Sequence, residues 1–300
     1  MSKHPKDHRS DWIHHAPGSN ANRLERIEAY FAGNAYAMHR HDTYAIGTTL
    51  SGVQSFTYRG SECHSLPGGT IVLHPDEAHD GQAGTGDGFR YRMIYVEPAL
   101  IQQILGGQPL PFVKHGISAA PRLHTATLAL LQRMDGPMDV LEEQDALFDL
   151  AHAMHGASSK IADTFLGSPE RSPSSQRFDY QAAERAREYI HSVIAGKRAD
   201  NFSDNLVHGI TLEELEEHSG RDRWSLSRDF RLLFGTSPYR YLTMRRLDMV
   251  KKLLMDGYSL VDAALTAGFT DQSHMTKHFG KAFGLTPLHW LKMHGTKIKR

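Results

Sequence analysis

Two histidines separated by one residue, His39 and His41, are the first candidates for chemistry in this sequence. Side chains two positions apart on a β-strand point to the same face, so these imidazoles could chelate an ion together. Imidazole nitrogens are common ligands for transition metals. The same side chains could instead hydrogen-bond turns or contact a bound ligand. Asp42 would point to the opposite face, and residues 44–46 are Tyr, Ala and Ile.

A second set of polar side chains lies in two helical blocks near the end of the chain. Apolar residues at helical spacing form a stripe in each block: Leu226, Phe230 and Leu233 in the first, Met275, Phe279 and Phe283 in the second. The opposite faces carry Arg223, Trp224, Ser227 and Arg228, and then Gln272, Ser273, His274, Thr276 and Lys277. Arg and Gln can form paired hydrogen bonds with base edges. These faces indicate DNA binding, and the alternative is an ordinary helical domain with solvated faces.

The elements that position these faces form an approximate repeat of a short helix, a turn and a second helix. Thr211 with Glu214 fits a capping box, and Gly220 fits the left-handed residue that ends the first helix. Ser259, Asp262 and Gly268 occupy similar places in the second copy. The helix predicted at Pro238–Met255 joins the copies and spans roughly 27 Å. Adjacent major grooves lie about 34 Å apart, so this spacer could set two helices in successive grooves.

The charge of the chain is unevenly distributed. The formal net charge is zero, but residues 221–300 carry a net of +9 and residues 1–179 a net of −5. A basic end on a neutral chain is typical of a separate nucleic-acid-binding domain. The single cysteine, Cys63, cannot form an intramolecular disulfide and fits a reducing compartment. We expect no secretory signal and no membrane span, because no long apolar run is present.

The region before residue 97 has the pattern of short strands. Runs rich in β-branched and aromatic residues alternate with glycine and proline turns, which predicts a small barrel or sandwich. The predicted strands are Tyr44–Leu50, Gln54–Tyr58, Thr70–His74 and Phe89–Val96. After Pro98 the pattern becomes helical, with helices predicted at Ala99–Leu105, Pro121–Met134 and Val140–His155, the last two forming a hairpin.

Residues 180–294 resemble the DNA-binding domain of the AraC/XylS family of bacterial transcription regulators. The resemblance rests on the run from Ala263 to Pro287, and above all on its Gly268-Phe269 turn and Phe283-Gly284-Leu285-Thr286-Pro287 ending. It implies an all-α domain with two helix-turn-helix units. It also implies DNA contacts from Arg223, Trp224, Ser227, Arg228, Gln272, Ser273, His274 and Lys277. Lys277 stands where the family commonly has Arg, which favours a phosphate contact over base readout.

Residues 36–97 resemble the cupin-like domain that often precedes this DNA-binding domain. The similarity rests on His39-Arg40-His41-Asp42, Leu50-Ser51-Gly52 and the run from Leu66 to His79. It implies a β-barrel that holds a small-molecule effector. The candidate effector contacts are His39, His41, Tyr44, His79 and Tyr95, with Arg40, Tyr58 and Arg92 as further lining residues. Catalytic cupins usually add a carboxylate after the paired histidines, and none follows His41, so we predict neither metal nor cofactor.

The sequence therefore predicts an α+β fold in two domains. A cupin-like β-barrel with a helical hairpin occupies residues 1–156, a linker follows at 157–179, and the double helix-turn-helix domain covers 180–300. The function expected is a cytoplasmic, effector-controlled, homodimeric transcription regulator that binds promoter DNA, with RNA polymerase as a further partner. No catalytic residues are predicted. The alternatives are a metal-dependent cupin enzyme fused to a DNA-binding module, and an architectural DNA-binding protein without an effector.

Overall fold

The structure is a computed structural model that describes residues 11–17, 24–165, 178–199 and 210–293. It consists of two compact units. The first contains the β-strands and the helices α2 (Pro121–Leu131) and α3 (Val140–Phe165), and the second contains α1 (Pro98–Ile104) and every helix after residue 178. The predicted α+β, two-domain fold class is confirmed. No helix in the described ranges is long and apolar enough to cross a membrane.

The first unit is built from two antiparallel sheets. Six strands form one sheet in the order β1-β2-β9-β4-β7-β10, and four form the other in the order β3-β8-β5-β6. The strands are β1 (Trp12–His15), β2 (Leu24–Phe31), β3 (Asn34–His39), β4 (Tyr44–Gly52), β5 (Gln54–Tyr58), β6 (Ser61–Ser65), β7 (Thr70–Leu73), β8 (His79–Ala83), β9 (Phe89–Val96) and β10 (Ile117–Ser118). The core includes Phe31, Phe56, Phe89, Tyr91 and Ile94, all less than 3% exposed.

Strands β1, β2 and β10 were absent from the prediction, and so were β3, β6 and β8, whose sequences show why. Their sequences are NAYAMH, SECHS and HDGQA, which contain few β-branched residues and show no apolar alternation. They become strands through pairing: β8 hydrogen-bonds to β3 and β5, and β6 hydrogen-bonds to β5. Helix α3 also exceeds its predicted end at His155 and continues to Phe165, into the expected linker. The predicted domain boundaries stay a prediction, and residues 166–177 of the linker lie outside the described ranges.

The buried carboxylate of Glu28 organises the outer face of the six-stranded sheet. Glu28 lies opposite Arg92 on β9, and it accepts hydrogen bonds from Arg90 Nε at 2.6 Å and Arg92 Nε at 2.7 Å. Arg92 also donates to the carbonyl of Leu131, at the end of α2. Burial would raise the pKa of Glu28, but the hydrogen bonds and charges of both arginines outweigh it and lower the pKa.

The second unit has two apolar cores joined by one helix. Its later helices are α4 (Tyr180–Ala199), α5 (Leu212–Ser219), α6 (Arg223–Phe234), α7 (Pro238–Met255), α8 (Leu260–Thr266), α9 (Gln272–Phe283) and α10 (Pro287–Met293). Tyr241 and Leu242 of α7 pack in the core formed by α4, α5 and α6. Met244 and Leu247, slightly further along α7, pack in the core formed by α8, α9 and α10.

The predicted helix caps are confirmed. Thr211 and Glu214 form a capping box, with the Thr211 hydroxyl accepting from the Glu214 N–H at 3.1 Å. Gly220 ends α5 at φ 68°, in the left-handed region that favours glycine. The Ser259 hydroxyl accepts from the Asp262 N–H and caps α8. Because both helix-turn-helix units begin with such caps, their first helices have defined starting points.

We expect the substitution Glu28→Gln to destabilise the first unit at pH 7 by about 1.5–3 kcal/mol, the usual contribution of hydrogen bonds to a charged group. Urea denaturation would measure the free energy of unfolding, with Glu62→Gln on exposed β6 as the control. Since the folded pKa of Glu28 is lowered, its contribution is present above the unfolded pKa of about 4.3 and is lost as the pH falls through the folded pKa. An effect that is equal at pH 7 and pH 3 would contradict this assignment.

Candidate functional sites

The outer face of α6 carries the first set of predicted DNA contacts. Asp222 caps this helix by accepting from the Ser225 N–H at 3.0 Å. Trp224 is 76% exposed, which is unusual for so large an apolar side chain. Arg228 is about half exposed and lies 3.5 Å from Asp229, measured from Nε to Oδ1. The ring of Trp224 and the guanidinium of Arg228 therefore project from the first turns of α6 into solvent.

Two members of the predicted set on α6 already have protein partners. Arg223 forms ion pairs with Glu213 and, at 3.2 Å, with Glu216, both on α5. Ser227 accepts a hydrogen bond of 2.6 Å from Arg231. Arg223 therefore ties α6 to the preceding helix, and binding a phosphate or base would require it to leave these carboxylates.

The outer face of α9 carries the second set. Asp271 caps this helix, accepting from the His274 N–H at 2.7 Å. Gln272, Ser273 and Lys277 are exposed along its first turns. Ser273 and Lys277 therefore occupy the same positions on α9 that Trp224 and Arg228 occupy on α6.

His274 differs from its neighbours because its imidazole is held by local contacts. Its Nδ1 lies 3.0 Å from the Thr270 hydroxyl, and its Nε2 lies 3.0 Å from Nε2 of His278. Burial lowers the pKa of His278, and the nearby His274, Lys281, Arg240 and Lys277 lower it further. Two imidazole nitrogens at this distance share one proton, so one Nε2 donates and the other accepts. The geometry favours a role for His274 in shaping the start of α9.

The candidate effector residues do not surround one common site. Tyr44 lies opposite Val96 on the neighbouring strand, whereas Tyr95 lies opposite Ala45. Residues paired across antiparallel strands share a face and successive residues alternate, so Tyr44 and Tyr95 occupy opposite faces of the sheet. Tyr44 is fully buried and donates to the carbonyl of Pro111 at 2.7 Å. The two tyrosines therefore do not face the same side of the six-stranded sheet.

The further lining residues are also engaged elsewhere or exposed. Arg92 binds Glu28 and the end of α2, and Arg40 is exposed. The Tyr58 hydroxyl lies 2.5 Å from Nδ1 of His74. Nε2 of His74 accepts from the Val113 N–H at 2.9 Å, so Nδ1 of the neutral ring carries the proton and donates to Tyr58.

The sequence interpretation missed this Tyr58–His74 pair. The one available signal was a histidine at the end of an otherwise apolar run, Thr70–His74. Burial lowers the pKa of His74 to about 3, so this ring is neutral at physiological pH.

Two of the three candidate histidines, His39 and His79, come together. His39, the last residue of β3, lies opposite His79, the first residue of β8, and their ring centres are 4.3 Å apart. His41 follows two residues after β3 and is buried. Burial lowers the pKa of His39, and it lowers the pKa of His79 to about 3. His39 and His79 are therefore neutral, which is the form that binds metals.

Comparison with known proteins matches both halves of the chain. Residues 22–157 match the family described as AraC-like ligand binding domain, and residues 215–293 match a helix-turn-helix domain family. The uncharacterised HTH-type transcriptional regulator YbfI of Bacillus subtilis is 28% identical, over 83% of this chain and 86% of its own. The multiple antibiotic resistance protein MarA of Salmonella typhimurium is 30% identical over 35% of this chain and 82% of its own.

A solved structure shares the fold. ToxT from Vibrio cholerae aligns with a TM-score of 0.57 at 12% identity, covering 90% of this chain and 98% of that one. A ligand-binding domain is followed by a helix-turn-helix domain in the family matches, and YbfI is described as an HTH-type transcriptional regulator. The protein belongs to the AraC family of DNA-binding transcription regulators and carries an N-terminal ligand-binding domain.

Proposed function

We propose that this protein is a sequence-specific, effector-controlled regulator that reads promoter DNA with α6 and α9. The observation that carries the proposal is the pair of matched outer faces, each at the start of the second helix of a helix-turn-helix unit. Trp224 and Arg228 project from one, and Gln272, Ser273 and Lys277 from the other. We place the protein in the cytoplasm, with promoter DNA, RNA polymerase and a small-molecule effector as partners, and we assign it no enzymatic activity.

The chemistry of the two faces supports separate roles in base readout and phosphate binding. The Arg228 guanidinium can donate two hydrogen bonds to guanine, and the Gln272 amide can pair with adenine. Lys277 presents a point charge suited to a phosphate, which positions the protein without reading sequence. Arg223 and His274 are occupied by Glu213, Glu216, Thr270 and His278. We therefore assign them to supporting the reading helices.

The effector is proposed to bind in the N-terminal domain. Support comes from the match of residues 22–157 to the ligand-binding family. A ToxT structure from Vibrio cholerae was solved with an unsaturated fatty acid bound, at 11% identity and a TM-score of 0.55. In this domain the rings of His39 and His79 face each other across neighbouring strands. We propose that the effector reaches the domain near these histidines.

A homodimer is proposed through the outer face of α3. Leu141 is 64% exposed and Phe148 is 53% exposed. Their separation of seven residues places both on one side of the helix, together with His152, whose ring centre lies 4.3 Å from that of Phe148. The opposite side, with Leu147, Leu150 and Met154, is buried in the unit. An apolar stripe on a charged helix favours a protein interface.

We expect Arg228→Ala and Gln272→Ala each to relax the preference at one or two base positions, in half-sites about one helical turn apart. Each lost bidentate contact removes about 1–3 kcal/mol of discrimination. Lys277→Ala should weaken binding to all DNA sequences alike. It should also reduce the slope of log affinity against log salt concentration by roughly one. Binding selection on randomised sites at two salt concentrations measures both effects. Lys252→Ala, an exposed lysine near the end of α7, is the matched control.

Unchanged base preferences in both the Arg228 and Gln272 variants would remove these residues from sequence readout. The family assignment would still hold, because it rests on the sequence matches rather than on these contacts. A loss of sequence preference in the Lys277 variant would instead assign base readout to that lysine.

The double substitution Leu141→Asp and Phe148→Asp should shift the full chain towards monomer, because each aspartate would place a charge in an apolar contact. Sedimentation velocity at tens of micromolar measures the change. Leu66→Asp is the control, since Leu66 is 57% exposed and lies outside α3. A parent protein that sediments as a monomer, or a dimer that survives the double substitution, would contradict this interface.

A further inference from the structure

Two imidazoles face each other on one side of α9. His274 and His278 lie four residues apart, so they are neighbours on one face of this helix. Their ring centres are 4.6 Å apart, and their Nε2 atoms are 3.0 Å apart. Both side chains are partly exposed, so an ion can reach them from solvent. The pair lies entirely within the second unit.

The distance between the two Nε2 atoms fits a chelated metal ion. Bonds from a metal to imidazole nitrogen are about 2.0–2.1 Å long, so two such bonds in square-planar or tetrahedral geometry place their nitrogens about 2.8–3.4 Å apart. The observed 3.0 Å lies in this range, and both rings can bind one ion with little movement. Histidines at i and i+4 also bind one zinc ion in helical metalloprotease motifs.

Thr270 fixes the tautomer of His274. Its hydroxyl lies 3.4 Å from Oδ2 of Asp271 and 3.0 Å from Nδ1 of His274. A carboxylate only accepts, so the hydroxyl donates to Asp271 and accepts from Nδ1 of His274. The lone pair of His274 is therefore on Nε2, directed at His278. Metal-binding histidines almost always donate their other N–H to such a partner, which orients the ring.

His278 is the ring that must change its tautomer when an ion binds. Its Nε2 donates to Nε2 of His274, so its single proton lies between the two nitrogens. Burial lowers the pKa of His278, and nearby positive groups lower it further, so the ring is neutral at physiological pH. Transfer of the proton from Nε2 to Nδ1 through solvent leaves both Nε2 lone pairs available, with no change in net charge.

The surrounding charges favour one class of ion. Lys277, Lys281 and Arg240 act on His278 and repel any cation at this position. Magnesium and calcium prefer oxygen ligands and would gain little from two imidazoles. Copper, nickel and zinc bind imidazole nitrogen well, and Cu²⁺ has the highest affinity of this series.

We propose that His274 and His278 chelate one divalent ion of the copper, nickel or zinc class through their Nε2 atoms, with water in the remaining positions. The site lies on α9, beside the exposed Ser273 and Lys277. It does not depend on DNA contacts by those residues, because the ion requires only the two imidazoles and the orienting Thr270. The site therefore stands or falls independently of the proposed DNA readout.

The test uses the full chain without an affinity tag and Cu²⁺ as the probe. The chain contains 20 histidines, so a total copper count cannot locate the ion. Treatment with copper and ascorbate followed by peptide mass spectrometry can, because bound copper generates oxidants that modify its own ligands. We expect oxidation of His274 and His278 but not of His289, an exposed histidine on the neighbouring α10. A large excess of Zn²⁺ should suppress this oxidation, and Mg²⁺ should not.

Variants assign the ion to its ligands. His274→Gln and His278→Gln should each lower the number of copper ions retained per chain by one, because the second ligand of a chelate raises affinity by about 10²-fold. His289→Gln is the matched control and should retain the same number as the parent protein. Thr270→Val keeps both imidazoles and should lower the copper affinity about tenfold, since it removes the partner of Nδ1. Circular dichroism checks that each variant keeps its helices.

The oxidation pattern of the parent protein does not depend on how the variants fold. The proposal is overturned if His274 and His278 are spared in the parent, or if Mg²⁺ protects them as well as Zn²⁺ does. It is also overturned if His274→Gln and His278→Gln retain as much copper as the parent, or if His289→Gln alone loses an ion. An unchanged copper affinity in Thr270→Val would contradict the orienting role of Thr270.

Discussion

The burial of α7 in two cores is the constraint on which the DNA-binding unit depends. Tyr241 and Leu242 pack with α4, α5 and α6, and Met244, Leu247 and Val250 pack with α8, α9 and α10. Burying each leucine contributes about 1.5–3 kcal/mol. Because one continuous helix belongs to both cores, it fixes where α6 and α9 can lie. A break in α7 would leave each reading helix intact while separating their positions.

Polar groups buried in this unit reinforce that packing. Asp229 on α6 is 1% exposed, and Arg221 Nη2 lies 2.9 Å from its carboxylate. The same carboxylate accepts from the N–H of Asp179, which in turn caps the start of α4. A buried carboxylate is costly unless paired and hydrogen-bonded. Asp229 therefore favours the one arrangement in which α4 begins beside α6, and it leaves the outer face of α6 available for solvent or DNA.

A buried, paired carboxylate also stabilises the six-stranded sheet of the N-terminal unit. Glu28 accepts hydrogen bonds from Arg90 and Arg92. Arg26, two residues before Glu28 on β2, donates to the carbonyls of Arg133 and Gly136 beyond α2. Arg26 also donates to the carbonyl of Leu130 in the last turn of α2, where carbonyls have no partner within the helix. The polar network holds the helical hairpin on the sheet. Arg92 belongs to this network, because it binds both Glu28 and the carbonyl of Leu131.

The sequence by itself determined the features that are local. The capping box at Thr211, the left-handed Gly220 and the bounds of α7 follow from patterns within a few residues, and the structure confirms them. Only the tertiary structure decided what depends on strand pairing: that His39 faces His79, that Tyr44 and Tyr95 lie on opposite faces, and that HDGQA is a strand. Register shifts by one residue reverse every side chain, and no local pattern specifies the partner strand.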